Sequence, residues 1–299
     1  MKIKLGMSPI SWSNDDLPQL GGKTPLDVCL FETRQAGYTG TETGGKFPKN
    51  SSELSSKLNQ FQLSLVSGWY SGTIINNDLE TEIRKISPQL ELFKSVGASV
   101  IVYGETFDTV QNQPKKPLSS RPKLVSFDLK EYGRKLTELA CHCLENGVPL
   151  TFHHHMGTAV ENEMEIDLLM SNTGSEVGLL LDTGHLYFAG GDYKNVLQKH
   201  AKRINHVHTK DIRSEIFQKI NFQNESFLDC VLKGVFTVPG DGIIDYNDFV
   251  KRLFDINYEG WMVVEAEQDP LKANPFEYAK LGYQTLIHSL NKAGYELEK

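Results

Sequence analysis

Apolar residues recur along the chain in eight short runs, at 3–10, 38–43, 63–69, 99–104, 149–153, 177–182, 204–208 and 261–265. Several are continuously apolar rather than alternating, as in VGLLLD at 177–182 and WMVVE at 261–265. Such runs suit strands buried on both faces of a parallel sheet. Between them the apolar positions take a helical spacing. Thr24 and Pro25 are expected to open the first helix as cap and first-turn proline, and Gly37 to close it. Further helices are predicted over 51–61, 78–96, 128–145, 161–170, 192–200, 245–254 and 275–291, with Pro88 expected to kink the helix over 78–96. Strand and helix thus alternate with a period of roughly 30–40 residues, the mark of βαβ units. Eight units predict an α/β fold, a (β/α)8 barrel, as a single domain over 1–299. An open doubly wound sheet is the rival, but it calls for a glycine-rich phosphate turn after strand one. The chain has SPISWSNDD there. Segments 106–127 and 212–240 read as long excursions from the barrel.

Composition narrows the function. A chain of 299 residues buries about three-quarters of its unfolded surface, so it needs no disulfide or metal merely to fold. Lys plus Arg number 31 against 38 Asp plus Glu, a net charge of −7. That balance argues against nucleic acid as a partner, and the basic run at 114–123 reads as a solvated loop. No apolar stretch approaches the ~20 residues of a membrane span, and the N-terminus lacks a signal-peptide pattern. The expected setting is therefore the cytoplasm, with no membrane partner. Cys29, Cys141, Cys143 and Cys230 are expected as free thiols; Cys141 and Cys143 point to different helix faces and do not pair on a metal. The segment 239–249 lacks the acidic start of a calcium loop.

The chemistry lies where the apolar runs finish. Strand five ends in His153-His154-His155, strand six in Asp182-Thr183-Gly184-His185, strand seven in His206-Val207-His208-Thr209-Lys210, and strand eight in Glu265-Ala266-Glu267. Barrel active sites occupy this C-terminal mouth. Residues of this kind on four adjacent strands predict a mononuclear divalent-metal site: Asp182 and Glu265, costly to bury unpaired, with His208 and His153. Mixed nitrogen and oxygen donors without thiolate favour Mn²⁺, Co²⁺, Fe²⁺ or Zn²⁺ over Ca²⁺ or Mg²⁺. Alternation is expected to put His153 and His155 on one side and His154 on the other. It is also expected to turn only one of His206 and His208 inward, His208 as ligand with His206 packed behind it. Candidate substrate contacts are Trp12, Glu42, Lys46, Trp69, His185 and Arg213, with Glu105 beside them after strand four. Aromatic rings at such a mouth can stack on a sugar or cyclitol, although each of these side chains could equally serve packing.

These clusters carry a family resemblance. The stretches SPISWSNDDLPQLGG, GYTGTETGGKFPK, HHMGTAVE, LLLDTGHLYFAGGD, HVHTKDIR, GVFTVPGDGIIDY and YEGWMVVEAEQDPLKANPFEYA run from residue 8 to about 279. Taken in order, they resemble the xylose-isomerase-like TIM barrels, a group of sugar epimerases, isomerases and lyases, and more closely the inosose dehydratases of bacterial myo-inositol catabolism. The resemblance implies one divalent ion held by a carboxylate after strand five, an Asp after strand six, a His after strand seven and a Glu after strand eight. Asp182, His208 and Glu265 match; His153 stands where epimerases of the group carry Glu. It implies Co²⁺ or Mn²⁺ and a glutathione requirement, although no residue here marks a glutathione site. The implied substrate is a small cyclitol ketone, 2-keto-myo-inositol, dehydrated to a ring 1,2-diketone.

For that reaction Glu265 or Glu267 is the expected base, and His153 or His155, assisted by Lys210, the expected acid for the departing hydroxyl. Two opposed carboxylates would suit an epimerase; an imidazole in place of one suits elimination. A metal-dependent ketose epimerase or isomerase is the alternative on the same scaffold. A barrel nuclease for abasic DNA and a non-catalytic sugar-binding barrel are further readings. A homo-oligomer is compatible with the sequence.

Overall fold

The computed structural model describes residues 1–298. Its strands are β1 (Lys2–Met7), β2 (Gly40–Thr43), β3 (Ser64–Gly72), β4 (Ile101–Glu105), β5 (Leu150–His153), β6 (Gly178–Asp182), β7 (Ile204–Thr209), β8 (Asp211–Ile212), β9 (Phe236–Thr237), β10 (Gly260–Val264) and β11 (Glu296–Leu297). β1 to β7 and β10 lie side by side, all parallel, and β10 pairs back onto β1 from Ile3 opposite Gly260 to Met7 opposite Val264. The sheet is therefore a closed eight-stranded barrel. β11 adds to β1 at the base, and β8 and β9 form a small antiparallel pair above the mouth.

The continuous apolar runs explain the closure. Leu179, Leu180 and Leu181 are fully buried, as are Met262, Val263 and Val264, because one face of each strand meets the barrel interior and the other the helices. Two register shifts interrupt the ladders. One falls between Thr41 and Glu42 in the β2–β3 pairing, the other between Leu179 and Leu180 in the β6–β7 pairing. Bulges of this kind re-aim side chains; here they set Glu42 opposite Ser67 and Asp182 opposite His208.

The helices follow their local signals. Leu26–Ala36 ends at Gly37 with φ 115°, where a side chain would be strained. Its cap is Pro25 without a side-chain bond, so Thr24 does not cap it. Leu79–Val96 runs through Pro88 as one element, capped by Asp78. Segment 106–127 lies against the second excursion: Leu118 N–H donates to Glu225 O at 2.9 Å and Ser119 N–H to Phe222 O at 3.2 Å. Arg121 pins the first excursion to the loop and helix after β5, donating to Thr158 O at 3.0 Å in the loop and ion-pairing with Glu165 of helix Glu163–Ser171 at 2.8 Å. No described helix is long and apolar enough to cross a membrane.

Candidate active site

The barrel mouth opens into a cavity of about 550 Å³. His153, His155, His208, Glu265 and Glu267 form its chemical wall, and Trp69 and Glu42 also line it.

Four donors converge in that wall. One ligand atom from each of His153, Asp182, His208 and Glu265 lies within 4.8 Å of the others. Asp182 Oδ1 accepts His185 N–H at 2.8 Å, capping the helix that follows β6. Asp182 Oδ2 is buried with no hydrogen-bond partner; it faces His208 Nδ1 at 3.7 Å and His153 Nε2 at 3.8 Å. An orphaned, fully buried carboxylate oxygen is expensive in a protein interior, and a cation at the centre would satisfy it. The donor set fits a divalent ion.

Main-chain partners fix the ring tautomers. A carbonyl oxygen only accepts, so the contact of His153 Nδ1 with His154 O at 2.5 Å places a proton on Nδ1 and leaves Nε2 free to face Asp182. The same holds for His155, whose Nδ1 meets Met156 O at 2.8 Å; its Nε2 lies 3.9 Å from Glu267 Oε1. His154 turns the other way, its Nε2 accepting Asp182 N–H at 3.2 Å. Trp69 stands edge-on to His153 and His155, with ring centroids 5.6 and 5.7 Å away.

Lys210 is fully buried. Its Nζ touches Glu267 Oε2 and lies 2.8 Å from Glu265 Oε2. Burial works against its charge, but Glu265, Glu267 and Asp182 outweigh that and raise its pKa. Burial opposes the charge of Glu265 too, yet Lys210 and His208 hold its carboxyl well below the usual range. Glu267 is pushed up to about 7, by burial first and by Glu265, with Lys210 opposing. Burial, then Lys210, depress His155 to about 4.

The structure treats the sequence-derived candidates unequally. His153, Asp182, His208, Glu265, Glu267, His155 and Lys210 are brought together. Trp12 is not: after the turn at Pro9–Ser11 it is buried in the core, its Nε1 donating to Glu32 at 2.6 Å. Lys46 is solvent-exposed, its Nζ 2.5 Å from Thr24 O. Arg213 braces the second excursion through Asp241 at 2.8 Å and the carbonyl of Gly234 at 2.6 Å. His185 is fully buried behind His155, with ring centroids 3.9 Å apart and Nε2 3.5 Å from Glu267 Oε1. Glu105 is buried by β4 and bonds Tyr103 Oη at 3.1 Å. His206 corrects the expectation that only one of the β7 histidines faces inward. Residues two apart share a strand face, and His206 and His208 both contact Glu42 Oε1, at 3.2 and 2.9 Å.

Sequence reasoning passed over much of the cavity wall. Asn14, Asp15 and Asp16 come from the loop after β1, Ser71 from β3, Asp108, Thr109 and Gln111 to Gln113 from the first excursion, and Phe227 and Leu228 from the second. Their signal was position alone: each follows or ends a strand on the mouth side.

The model of the xylose isomerase-like TIM barrel family matches residues 30–295. The rhizopine catabolism protein MocC of Rhizobium meliloti is 48% identical over 297 residues, 99% of this chain and 91% of that protein. An inosose dehydratase of Geobacillus thermodenitrificans is 43% identical over 283 residues, 93% of this chain and 94% of its own. Among solved structures, the IOLI protein with a bound zinc atom superposes with a TM-score of 0.64 at 19% identity, covering 97% of this chain and 98% of its own.

Proposed function

The chain belongs to the xylose isomerase-like TIM barrels and, within them, to the inosose dehydratase family, and from that premise we propose that it removes water from 2-keto-myo-inositol to give a trihydroxycyclohexane-1,2-dione. The activity is that of a carbon–oxygen lyase. His153 Nε2, Asp182 Oδ2, His208 Nδ1 and a Glu265 oxygen would hold a divalent ion of the Mn²⁺ or Co²⁺ kind. When bound, that ion supplies Lewis acidity for the charge developing on the ketone oxygen. Glutathione is proposed on family resemblance alone.

The proton steps belong to His155 and Glu267. With Nδ1–H given to the Met156 carbonyl, His155 offers the lone pair of Nε2 and takes the proton from the carbon beside the ketone. The C–O bond at the next carbon breaks, and protonated Glu267 delivers its proton to the leaving hydroxyl, which departs as water. Lys210 holds Glu267 by its other oxygen. The proton on His155 then passes to Glu267 across the 3.9 Å gap, which restores both groups. This reverses the sequence-based expectation of a carboxylate base and an imidazole acid, and the bond to Met156 O is the reason.

Substrate stereochemistry supports the assignment. In 2-keto-myo-inositol every hydroxyl is equatorial and neighbours are trans. The α-hydrogen and the hydroxyl on the next carbon therefore share one ring face. An acid and a base on one wall suit this syn elimination; an epimerase needs them on opposite walls.

That one-sided pair beside a four-donor centre is the observation that carries the proposal. The test is to incubate Mn²⁺-loaded protein with 2-keto-myo-inositol and follow the ultraviolet absorbance of the enone and dione. Growth of that absorbance with release of water is expected. A new cyclitol ketone formed with no such absorbance would replace the dehydratase reading with the epimerase one.

A further inference from the structure

We infer that Glu42 is a positioning residue: it keeps the proton of His208 on Nε2 and thereby presents the Nδ1 lone pair to the divalent-ion centre. The inference rests on the metal-centre reading above and assigns a role to a carboxylate outside the four donors.

The two nitrogens of His208 face different carboxylates. Nδ1 points to Glu265 Oε2 at 3.1 Å and Asp182 Oδ2 at 3.7 Å, and Nε2 to Glu42 Oε1 at 2.9 Å. Unlike His153, whose tautomer is set by a main-chain carbonyl, His208 has carboxylates on both sides. Its tautomer depends on which of them keeps an N–H. Glu42 is built to keep it. It is only 5% exposed, and Ser67 Oγ–H donates to the same Oε1 at 2.5 Å. His206 Nε2–H approaches that oxygen at 3.2 Å. Three donors on one oxygen lock the carboxylate in place.

The backbone shows the same design. The β2–β3 shift sets Glu42 against Ser67, and the β6–β7 shift, which passes Asn205, sets His206 and His208 against Leu180 and Asp182. Both irregularities in the barrel ladder thus serve one hydrogen-bonded group. Glu42, His206 and His208 also lie close enough to ligate an ion themselves, but the Glu42 oxygen that faces both rings, Oε1, already accepts the Ser67 hydroxyl proton. A carboxylate behind a ligating histidine fixes its orientation and raises its basicity, and its loss lowers metal affinity about 10–100-fold.

The experiment titrates wild type, Glu42→Gln and Ser67→Ala with Mn²⁺ alone, in competition with a chelator. Far-UV circular dichroism and melting of the metal-free forms run alongside. The expected result is a Mn²⁺ affinity about 10–100-fold weaker in Glu42→Gln and about threefold weaker in Ser67→Ala, with the fold retained. The Mn²⁺-free wild type should also show a protected ring N–H proton resonance of His208 that moves upfield in Glu42→Gln, where a neutral amide oxygen accepts the bond more weakly than the carboxylate. Wild-type affinity in Glu42→Gln, or a loss of metal-free stability alone, would overturn the inference. If Glu42→Gln does not fold, unchanged affinity in Ser67→Ala overturns it and the threefold loss supports it. A wild type that binds no Mn²⁺ sinks the metal centre and this inference together. One that binds Mn²⁺ but forms no dione sinks the dehydratase reading, and the affinity series still decides the role of Glu42.

Discussion

Replacing Glu105 with Gln should make the protein more stable at pH 8 and change little at pH 4.5. Glu105 ends β4, turned toward the helices, with only 1% exposure. It accepts bonds from Tyr103 Oη at 3.1 Å and the amides of Phe107 and Ile75 at 3.2 and 3.3 Å. Among the described residues Glu105 makes no ion pair; the groups that act on its charge include Tyr103, Tyr132 and Glu82. Burial therefore lifts its carboxyl from 4.5 to about 8. In the unfolded chain the same group ionises near 4.5, so between about pH 4.5 and 8 the unfolded state sheds a proton that the folded state keeps. Stability falls as pH rises through that window and levels off above it. Each pH unit is worth about 1.4 kcal/mol, so the full window costs about 5 kcal/mol. Gln resembles the protonated acid, with one acceptor fewer and no proton to lose. Urea unfolding of both proteins from about pH 4.5 to 8.5 should give curves that coincide at the acid end and diverge by up to about 5 kcal/mol at the alkaline end. Parallel curves would refute the reasoning.

Glu267→Gln should lower kcat about 10²–10⁴-fold while Mn²⁺ affinity, measured by chelator competition, stays at the wild-type value. Arg121→Met strands the buried carboxylate of Glu165 and its neighbour Glu161; guanidinium unfolding should show a loss of about 3–5 kcal/mol. Lys46→Ala, whose side chain is absent from the cavity wall and turns to Thr24 O, should leave kcat/KM for 2-keto-myo-inositol within about twofold of wild type, and a tenfold rise in KM would place Lys46 in the site after all.

The barrel was legible because its signal is redundant. Eight apolar runs, each followed by a helical period, leave few other folds open, and even the C-terminal end of helix Leu26–Ala36 can be read from Gly37. Strand lengths were less legible: β3 continues past Trp69 to Gly72 because Ser71 and Gly72 pair with Gly104 and Glu105, contacts that no local pattern announces. At the site, a carboxylate after three leucines stood out in sequence as Asp182. Loop residues did not. Trp12, Lys46 and Arg213 lie in loops past strand ends, whereas Trp69 sits within β3; the loop path decides whether such a side chain meets the cavity, and loop paths have no period. Nor could sequence assign protons to ring atoms, since those depend on carbonyls such as Met156 O and His154 O.

One further consequence lies in how the cavity wall is shared out. The proposed proton pair and metal donors sit on or just past β5, β6, β7 and β10, while much of the remaining wall comes from Asn14 to Asp16 and from Asp108, Thr109 and Gln111 to Gln113 on connecting loops. Loops tolerate exchange far better than barrel strands do. A grafted 106–113 segment could thus reshape which polyol is admitted without disturbing the eliminating pair, making this scaffold a candidate host for swapping ring size or hydroxyl pattern by recombination at the rim.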